Sequence, residues 1–306
     1  MVCGGDRLAV EHARQRAVNA SQPSQGLQHC LEEADLPELP EVETIRRDLR
    51  SRVVGRAFSH VRILPGAERI VQWPSPAEFC RALPGRRIEE VSRRGKYLLF
   101  HLSDGRCLIV HLRMTGAVLH RAKDAPEDRY LQICFSMDDN SELRYTDLRK
   151  LGNMWLVEEA KSIVGKLGPD ALKGLTWQAL RSRIDRRSAT IKAVLMDQQA
   201  LAGLGNIYSE EALFLAGIDP HRSAKSLTGD DLRRLAKAIR EVLLEAMGHR
   251  GSSFHDYVDA EGREGQHQWH VKVYRRTGEP CYNCGTPIER IKVSGRSTHL
   301  CPRCQR

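Results

Sequence analysis

The sequence of 306 residues lacks long hydrophobic runs. No apolar stretch approaches the roughly 18 residues that a membrane-spanning helix needs. The first thirty residues also lack the uninterrupted apolar segment of a secretory signal. We find no internal repeat, and a composition of 41% hydrophobic and 28% charged residues is not that of a disordered chain. We therefore expect a cytoplasmic globular protein of two domains, or three if one is small, with no membrane partner.

Acidic residues are fewer than basic residues. Lys and Arg number 48 against 39 Asp and Glu, a formal charge of +9. The excess is uneven, because residues 270–306 carry eight basic residues against two Glu, whereas residues 1–36 carry three basic residues against five acids. A strongly basic end indicates a polyanionic partner, most often nucleic acid. Charge alone fits equally well with a basic surface that serves solubility.

The pattern between residues 54 and 158 is typical of strands. Residues 107–114 alternate between two sets of side chains, which is the period of a half-buried strand. Further short strands are predicted at residues 97–102, 131–137 and 154–157. No helix-length pattern intervenes, so this region predicts an antiparallel sandwich or barrel.

Helices are predicted on both sides of that region. One begins near Leu36 and runs to about Arg50, with Pro40 tolerated in its first turn. Others follow a linker at residues 165–174, the last of them opened by a capping box of Thr228 and Asp231. The predicted fold class is α+β and multi-domain. Its parts are a non-native or disordered extension (1–36), a β-sandwich with a flanking helix (37–165), a helical domain (166–269) and a zinc finger (270–306).

Four cysteines near the end follow the spacing C-x2-C-x16-C-x2-C. They are Cys281, Cys284, Cys301 and Cys304. Two such knuckles can fold back as a hairpin and present four thiolates tetrahedrally, which predicts one structural zinc ion. Four cysteines leave no open coordination position, so the zinc is not expected to be catalytic. A redox or fortuitous pattern is the alternative. His299 lies too near Cys301 to replace a ligand and is expected at the surface.

A glycine-containing turn lies between two predicted helices. Its residues Gly203, Gly205 and Asn206 could present backbone N–H groups and an amide to a phosphate at the start of the next helix. An ordinary connection between two helices would use the same residues.

The chain resembles the formamidopyrimidine-DNA glycosylases from Leu36 to its end, about 270 residues. In that family the position of Leu36 is held by the initiator methionine. The matching segments stand in the family's order. They are LPELPEVET (36–44), RGKYL (94–98), HLRMTG (111–116), YTDLR (145–149), the helix–two-turn–helix that ends in GLGNIY (203–208), and the cysteine module.

The resemblance implies excision of oxidised purines from double-stranded DNA, followed by strand cleavage at the abasic site. The nucleophile is the amine of an amino-terminal proline, here Pro37. The reference pKa of an α-amine is near 8, about 2.5 units below that of a lysine, so far more of it than of a lysine amine is unprotonated at neutral pH. Attack on the sugar forms a Schiff base that permits β- and then δ-elimination. The resemblance makes Glu38 the general acid and base, with Glu41 helping to hold the site.

The resemblance also implies a set of DNA contacts. Phosphates are expected at Lys96, Asn206 and Arg296, with Lys192 a weaker candidate. Because the damaged base must leave the stack, the gap is expected to be filled by Met114, Arg149 and Leu151. On its alternation alone, Met114 would be a core residue.

The resemblance implies a monomer that acts on oxidised-base or abasic DNA in the bacterial cytoplasm, at the nucleoid. Residues 252–267 correspond to the loop that caps the extruded base in the oxidised-purine enzymes. An endonuclease VIII-like enzyme for oxidised pyrimidines is the alternative.

The amino terminus conflicts with this chemistry, because the nitrogen of Pro37 is acylated by Leu36 as the sequence is written. Either the extension is removed, or the protein is a catalytically dead damaged-DNA-binding protein, or the start lies too far upstream. We favour the last interpretation. A leucine codon at Leu36 can initiate translation, and Glu32 and Glu33 back-translate, with GAG codons, to part of a ribosome-binding sequence.

Overall fold

The computed structural model describes residues 36–185 and 187–306. The expectations for residues 1–35 lie outside this part of the chain. The helices in chain order are α1 (Leu39–Val53), α2 (Pro76–Ala82), α3 (Lys161–Val164), α4 (Trp177–Ile184), α5 (Ile191–Met196), α6 (Asn206–Ala216) and α7 (Gly229–Gly248). The strands are β1 (Phe58–Ile63), β2 (Val71–Trp73), β3 (Ile88–Arg94), β4 (Tyr97–Leu102), β5 (Cys107–His111), β6 (Gly116–Ala122), β7 (Leu131–Met137), β8 (Ser141–Asp147), β9 (Asn153–Val157), β10 (Glu289–Val293) and β11 (Arg296–Leu300).

Two sheets form the first domain. One has the strand order β1-β7-β8-β6 and the other β2-β9-β5-β4-β3. Their facing side chains, among them Phe58, Phe100, Phe135 and Tyr145, form one buried core. All pairs are antiparallel except β2 with β9, which run parallel. The predicted α+β class with a β-sandwich is therefore confirmed, and its fully antiparallel character is wrong at this one edge.

Helix α1 joins two hydrophobic cores. Its middle residues Val42, Ile45 and Leu49 pack into the core of the sandwich. Its first residue, Leu39, packs into the core of the helical domain, and the Leu39 N–H donates to the carbonyl of Gly203 over 3.1 Å. The start of α1 is thereby fixed at the seam between the two domains.

The helical domain is organised by capped helices. The hydroxyls of Thr176, Thr190 and Thr228 accept backbone N–H groups at the starts of α4, α5 and α7. Thr228 and Asp231 form the predicted capping box. Each cap satisfies a backbone N–H that has no partner within its helix.

The last strands form a hairpin. Residues Val293 and Arg296 pair across a two-residue turn in which Ser294 and Gly295 both have positive φ angles of 49° and 80°. Two positive φ angles match the right-handed twist of the flanking strands, which explains the glycine. The turn places Arg296 at the tip of the hairpin.

Two local predictions are wrong. Helix α2 lies where no helix was expected, a single short helix that Ser75 caps through the N–H of Glu78. Strand β5 is buried on both faces, because Cys107 and Ile109 are covered by a second cluster that includes Val164. The alternating residues were predicted to form a half-buried strand, but both faces of β5 are packed. No described helix is long and apolar enough to cross a membrane.

Candidate active site

The carboxylate of Glu38 lies against the amino end of a helix. Glu38 precedes α1, and its side chain accepts the N–H of Gly205 and, over 2.9 Å, the N–H of Ile207 at the start of α6. A helix amino terminus carries positive potential and unpaired N–H groups, so it stabilises an anion there. A Cβ atom at Gly205 would lie 2.5 Å from Glu38 Oε1 and from Lys96 Nζ. Glycine is required because both groups approach the backbone.

Glu38 is poised to exchange a proton near neutral pH. Burial raises the pKa of Glu38 from 4.5 to about 7, against the lowering effect of Lys96 and of the two backbone N–H groups. The negative charge of Glu41 raises the pKa further. A group of this pKa suits general acid–base work at physiological pH.

Glu41 is the buried support of this site. It accepts the N–H of Glu38 over 2.8 Å, the hydroxyl of Tyr208, and the N–H of Ser252 over 2.8 Å. Burial raises the pKa of Glu41. The expected holding role of Glu41 agrees with these bonds. Sequence reasoning missed Tyr208, although Tyr208 closes the GLGNIY segment.

Pro37 faces a small pocket beside Glu41. Its wall includes Ile207 from α6 and residues 252 and 254–257 from the segment that follows α7. We call residues 252–267 the capping loop. This loop, predicted to cover an extruded base, thus lies over the proline predicted to attack the sugar. Leu36 also lines the pocket, so the bond that acylates Pro37 occupies the same place.

The three residues expected to fill the DNA gap lie on two adjoining turns. Met114 follows β5, and Arg149 and Leu151 follow β8. Arg149 Nη1 lies 3.5 Å from Met114 Sδ, and Leu151 is 40% exposed. Met114 is half-buried in a turn beyond the end of β5 and is therefore not part of the sandwich core. Their role in DNA remains a prediction.

Asp147 holds these two turns together, and sequence reasoning gave it no role. Its carboxylate accepts the Thr115 hydroxyl and the backbone N–H groups of Arg149 and Gly152, the last over 2.8 Å. Asp147 is fully buried at the end of β8. The YTDLR segment contained the signal, because its aspartate ends a strand where unpaired N–H groups follow.

Asn206 and Arg296 lie on the two elements predicted to hold phosphates. Asn206 is the first residue of α6, and its Oδ1 atom is buried without a hydrogen-bond partner among the described residues. Arg296 is exposed at the tip of the hairpin. Arg296 thus leaves a cationic group available to a ligand, and the contacts of both residues with DNA stay predictions.

Lys192 does not face a surface that DNA could reach. It is 1% exposed, and its ammonium donates to Glu210 over 2.5 Å, to Thr298 Oγ1 over 2.7 Å and to the carbonyl of Ser297. Glu210 also accepts the N–H of His299 over 2.9 Å. The prediction of a phosphate contact at Lys192 is therefore wrong in this structure, and so is the expectation that His299 is at the surface. Both residues bind the hairpin to the helical domain.

The four cysteines converge at the base of the hairpin. The sulfurs of Cys281 and Cys304 are 3.9 Å apart, and those of Cys284 and Cys301 are 3.5 Å apart. A tetrahedral zinc with Zn–S bonds of about 2.3 Å requires sulfurs about 3.8 Å apart. The cluster fits a structural zinc ion, as the spacing predicted.

A β-sandwich and a helix–two-turn–helix thus meet around one proline and one buried glutamate, and a cysteine hairpin is bound to the helical domain. That combination defines a class of DNA-repair glycosylases with an amino-terminal proline. The family models agree over most of the chain. The model of the formamidopyrimidine-DNA glycosylase N-terminal domain matches residues 36–154, and the model of the formamidopyrimidine-DNA glycosylase H2TH domain matches residues 167–257. The model of the zinc finger found in FPG and IleRS matches residues 278–306.

Relatives and solved structures give the same result. A formamidopyrimidine-DNA glycosylase of Herpetosiphon aurantiacus is 47% identical over 273 residues, which cover all of that protein and 88% of this chain. One of Symbiobacterium thermophilum is also 47% identical, over 88% of this chain and 89% of the relative. The Lactococcus lactis Fpg complex with abasic-site DNA is 36% identical with a TM-score of 0.80, over 88% of this chain and 99% of that one.

The chain belongs to the formamidopyrimidine-DNA glycosylase family. It is a DNA glycosylase of a bifunctional family whose members also cleave abasic sites.

Proposed function

We propose that this enzyme removes oxidised purines, 8-oxoguanine and formamidopyrimidines, from double-stranded DNA through the amine of Pro37. The observation that carries the proposal is the position of Pro37, which lies in a pocket walled by the capping loop and next to a buried glutamate of raised pKa. A related solved structure, a Lactococcus lactis Fpg variant, is a complex with Fapy-dG DNA, with a TM-score of 0.81 and 36% identity.

The chemistry follows from the charges at the site. The free amine of Pro37 attacks C1′ as the bond between C1′ and the damaged base breaks, and the C1′–O4′ bond of the sugar ring then opens to leave an iminium ion between the proline nitrogen and C1′. Glu38 exchanges the proton that sugar-ring opening requires. The iminium acidifies the C2′–H bond, so this proton is lost and the 3′ phosphate departs. Loss of the C4′ proton from the conjugated product then releases the 5′ phosphate. Lys96, beside Glu38, supplies positive charge for the phosphate next to the lesion.

Free Pro37 is a requirement of this proposal. An acylated nitrogen has given its lone pair to the amide and cannot attack carbon. We therefore propose that the active form begins at Pro37, after translation from the Leu36 codon and removal of the methionine. The predicted domain boundaries at residues 36, 165 and 269 stay proposals with it, as do the monomeric state and the location at the bacterial nucleoid.

Borohydride trapping tests the proposal. Protein that begins at Pro37 is incubated with duplexes that contain 8-oxoguanine or thymine glycol, and borohydride reduces any Schiff base to a stable adduct. We expect efficient trapping and excision with the purine lesion and much less with the pyrimidine lesion. The opposite preference would assign the chain to the endonuclease VIII-like alternative. Binding without excision of either lesion by this shortened protein would contradict the proposal.

A further inference from the structure

A second cluster of metal-ligating side chains lies outside the cysteine module. Glu245 and His249 stand four residues apart at the end of α7, and so lie on one face of that helix. His267 is the last residue of the capping loop and begins a short 3-10 turn. The candidate ligand atoms of these three residues lie within 4.8 Å of one another.

The two imidazoles already have the spacing of ligands around one ion. His249 Nδ1 and His267 Nδ1 are 3.2 Å apart. Zinc–nitrogen bonds of 2.0–2.1 Å at a tetrahedral angle place two nitrogens about 3.3 Å apart. A proton between the rings could satisfy this pair too, but it would use neither the carboxylate of Glu245 nor the open side of the cluster.

Burial adds a second observation. His267 is 2% exposed, and its Nε2 atom has no hydrogen-bond partner among the described residues. A buried polar ring with one unpartnered nitrogen is costly unless its other nitrogen gains a strong partner. The polar contact of this buried ring is therefore on its Nδ1 side, where His249 lies.

Both imidazoles are in the form that binds metals. Burial, then the neighbouring His249 and His270, lower the pKa of His267 to about 3. Burial, then His270, also lower the pKa of His249. Neutral imidazole is the ligand form of histidine, so neither ring has to lose a positive charge at physiological pH, and the ring that carries its proton on Nδ1 has only to move it to Nε2. Lys272, 3.7 Å from the Glu245 carboxylate, is the competing cation at the exposed side.

We propose that Glu245, His249 and His267 form a second metal site, which takes a divalent transition ion such as Zn²⁺. Two imidazoles and one carboxylate are a donor set that suits zinc, with water in the fourth position. The ion would bind α7 to the far end of the capping loop. The backbone already joins these segments, because Gln266 N–H donates to the carbonyl of His249 over 2.8 Å.

Cobalt titration tests this site on the full chain without a histidine tag. Co²⁺ in the four-cysteine site gives intense thiolate charge-transfer bands, and Co²⁺ at nitrogen and oxygen ligands gives only weaker visible bands. We expect wild-type protein, first stripped of metal, to take up two equivalents. His249→Gln and His267→Phe should each take up one, with the thiolate bands unchanged. Retention of those bands shows that the variants remain folded.

His221→Gln is the matched control, because His221 is an exposed histidine outside the cluster. It should still take up two equivalents. Saturation of the wild type at one equivalent would overturn the proposal, as would a second equivalent that persists in both His249→Gln and His267→Phe. The zinc content of the same proteins as purified, before any metal is removed, should follow the same stoichiometry.

Discussion

At the scale of single residues, Glu38 combines two opposing influences. Burial favours its protonated form, whereas Lys96 and the N–H groups of Gly205 and Ile207 favour its carboxylate. The balance leaves a group that can change its charge near neutral pH. Glutamate is common at the start of a helix. The sequence alone could not distinguish a glutamate that only stabilises the helix start from one that exchanges a proton. The difference arises from α6, whose amino end lies 167 residues along the chain from Glu38.

Glu38 should make the stability of the folded protein depend on pH. The folded state holds this proton up to about pH 7, whereas the unfolded chain releases it near pH 4.5. Between these values the folded state binds more protons, so the free energy of unfolding falls as pH rises. We expect Glu38 to contribute a loss on the order of 3 kcal/mol across this window, so the free energy of unfolding of Glu38→Gln should fall by about that much less than that of wild type.

Denaturant titrations at several pH values between about 4 and 8 measure this difference. Glu90→Gln, which removes an exposed carboxylate, is the control and should follow wild type. Glu38→Gln should also lose base excision while it still binds lesion DNA. If its excision stayed within a few-fold of wild type, Glu38 would have no part in the mechanism.

At the scale of elements, local sequence signals predicted strand bounds and helix starts well, but they did not predict which distant strands pair. Strands β4 and β7 have the predicted bounds, and the capping residues Thr176 and Thr228 begin the expected helices. These features depend on neighbours within a few residues. The parallel pairing of β2 with β9 joins residues 80 or more positions apart, and alternation carries no information about it.

The same limit explains the site. Family motifs named Pro37, Glu38, Lys96 and the cysteines. The structure brings Glu38 and Lys96 together beside Gly205 and the four cysteines into one cluster, and the roles of Pro37, Glu38 and Lys96 stay predictions. The prediction of a phosphate contact at Lys192 was wrong because its partner Glu210 lies on another helix. No local pattern distinguishes a buried lysine from an exposed one.

The effect of the zinc ion on DNA binding should be separable from the effect of Arg296, which the zinc hairpin presents. Cys281→Ser removes one of four ligands, so bound zinc should fall by one equivalent and DNA binding should be lost, because the hairpin depends on the metal for its fold. Arg296→Ala leaves the ligands intact. We expect it to keep its zinc, to bind DNA more weakly and to lower the salt dependence of binding by about one phosphate contact.

Metal analysis and binding isotherms at several salt concentrations measure these effects. Normal binding of lesion DNA by Cys281→Ser would show that the zinc is not needed to form the DNA-binding surface. An unchanged salt dependence in Arg296→Ala would remove Arg296 from the phosphate contacts.

At the scale of the whole molecule, the chain before Pro37 decides whether the assembled site can react. The alignment with the Herpetosiphon relative covers all of that protein and 88% of this chain, and the first family model begins at residue 36. Glu38 and Glu41 are already held by hydrogen bonds from Gly205, Ile207, Tyr208 and Ser252, and Lys96 lies beside Glu38. In the proposed mechanism, the acylated nitrogen of Pro37 is the group that cannot react.

We therefore expect protein made from Met1 to bind an abasic-site analogue but to form no adduct with borohydride, because an amide nitrogen has no free lone pair. The 36 preceding residues also have to fit where the sugar approaches. Protein made as Met-Pro37 should lose its methionine and give the adduct, and the amino-terminal mass of each preparation is the control for processing. If intact full-length protein traps as efficiently as the shorter form, another amine is the nucleophile. Lys96 is then the first candidate, because its ammonium lies beside Glu38 at the same site.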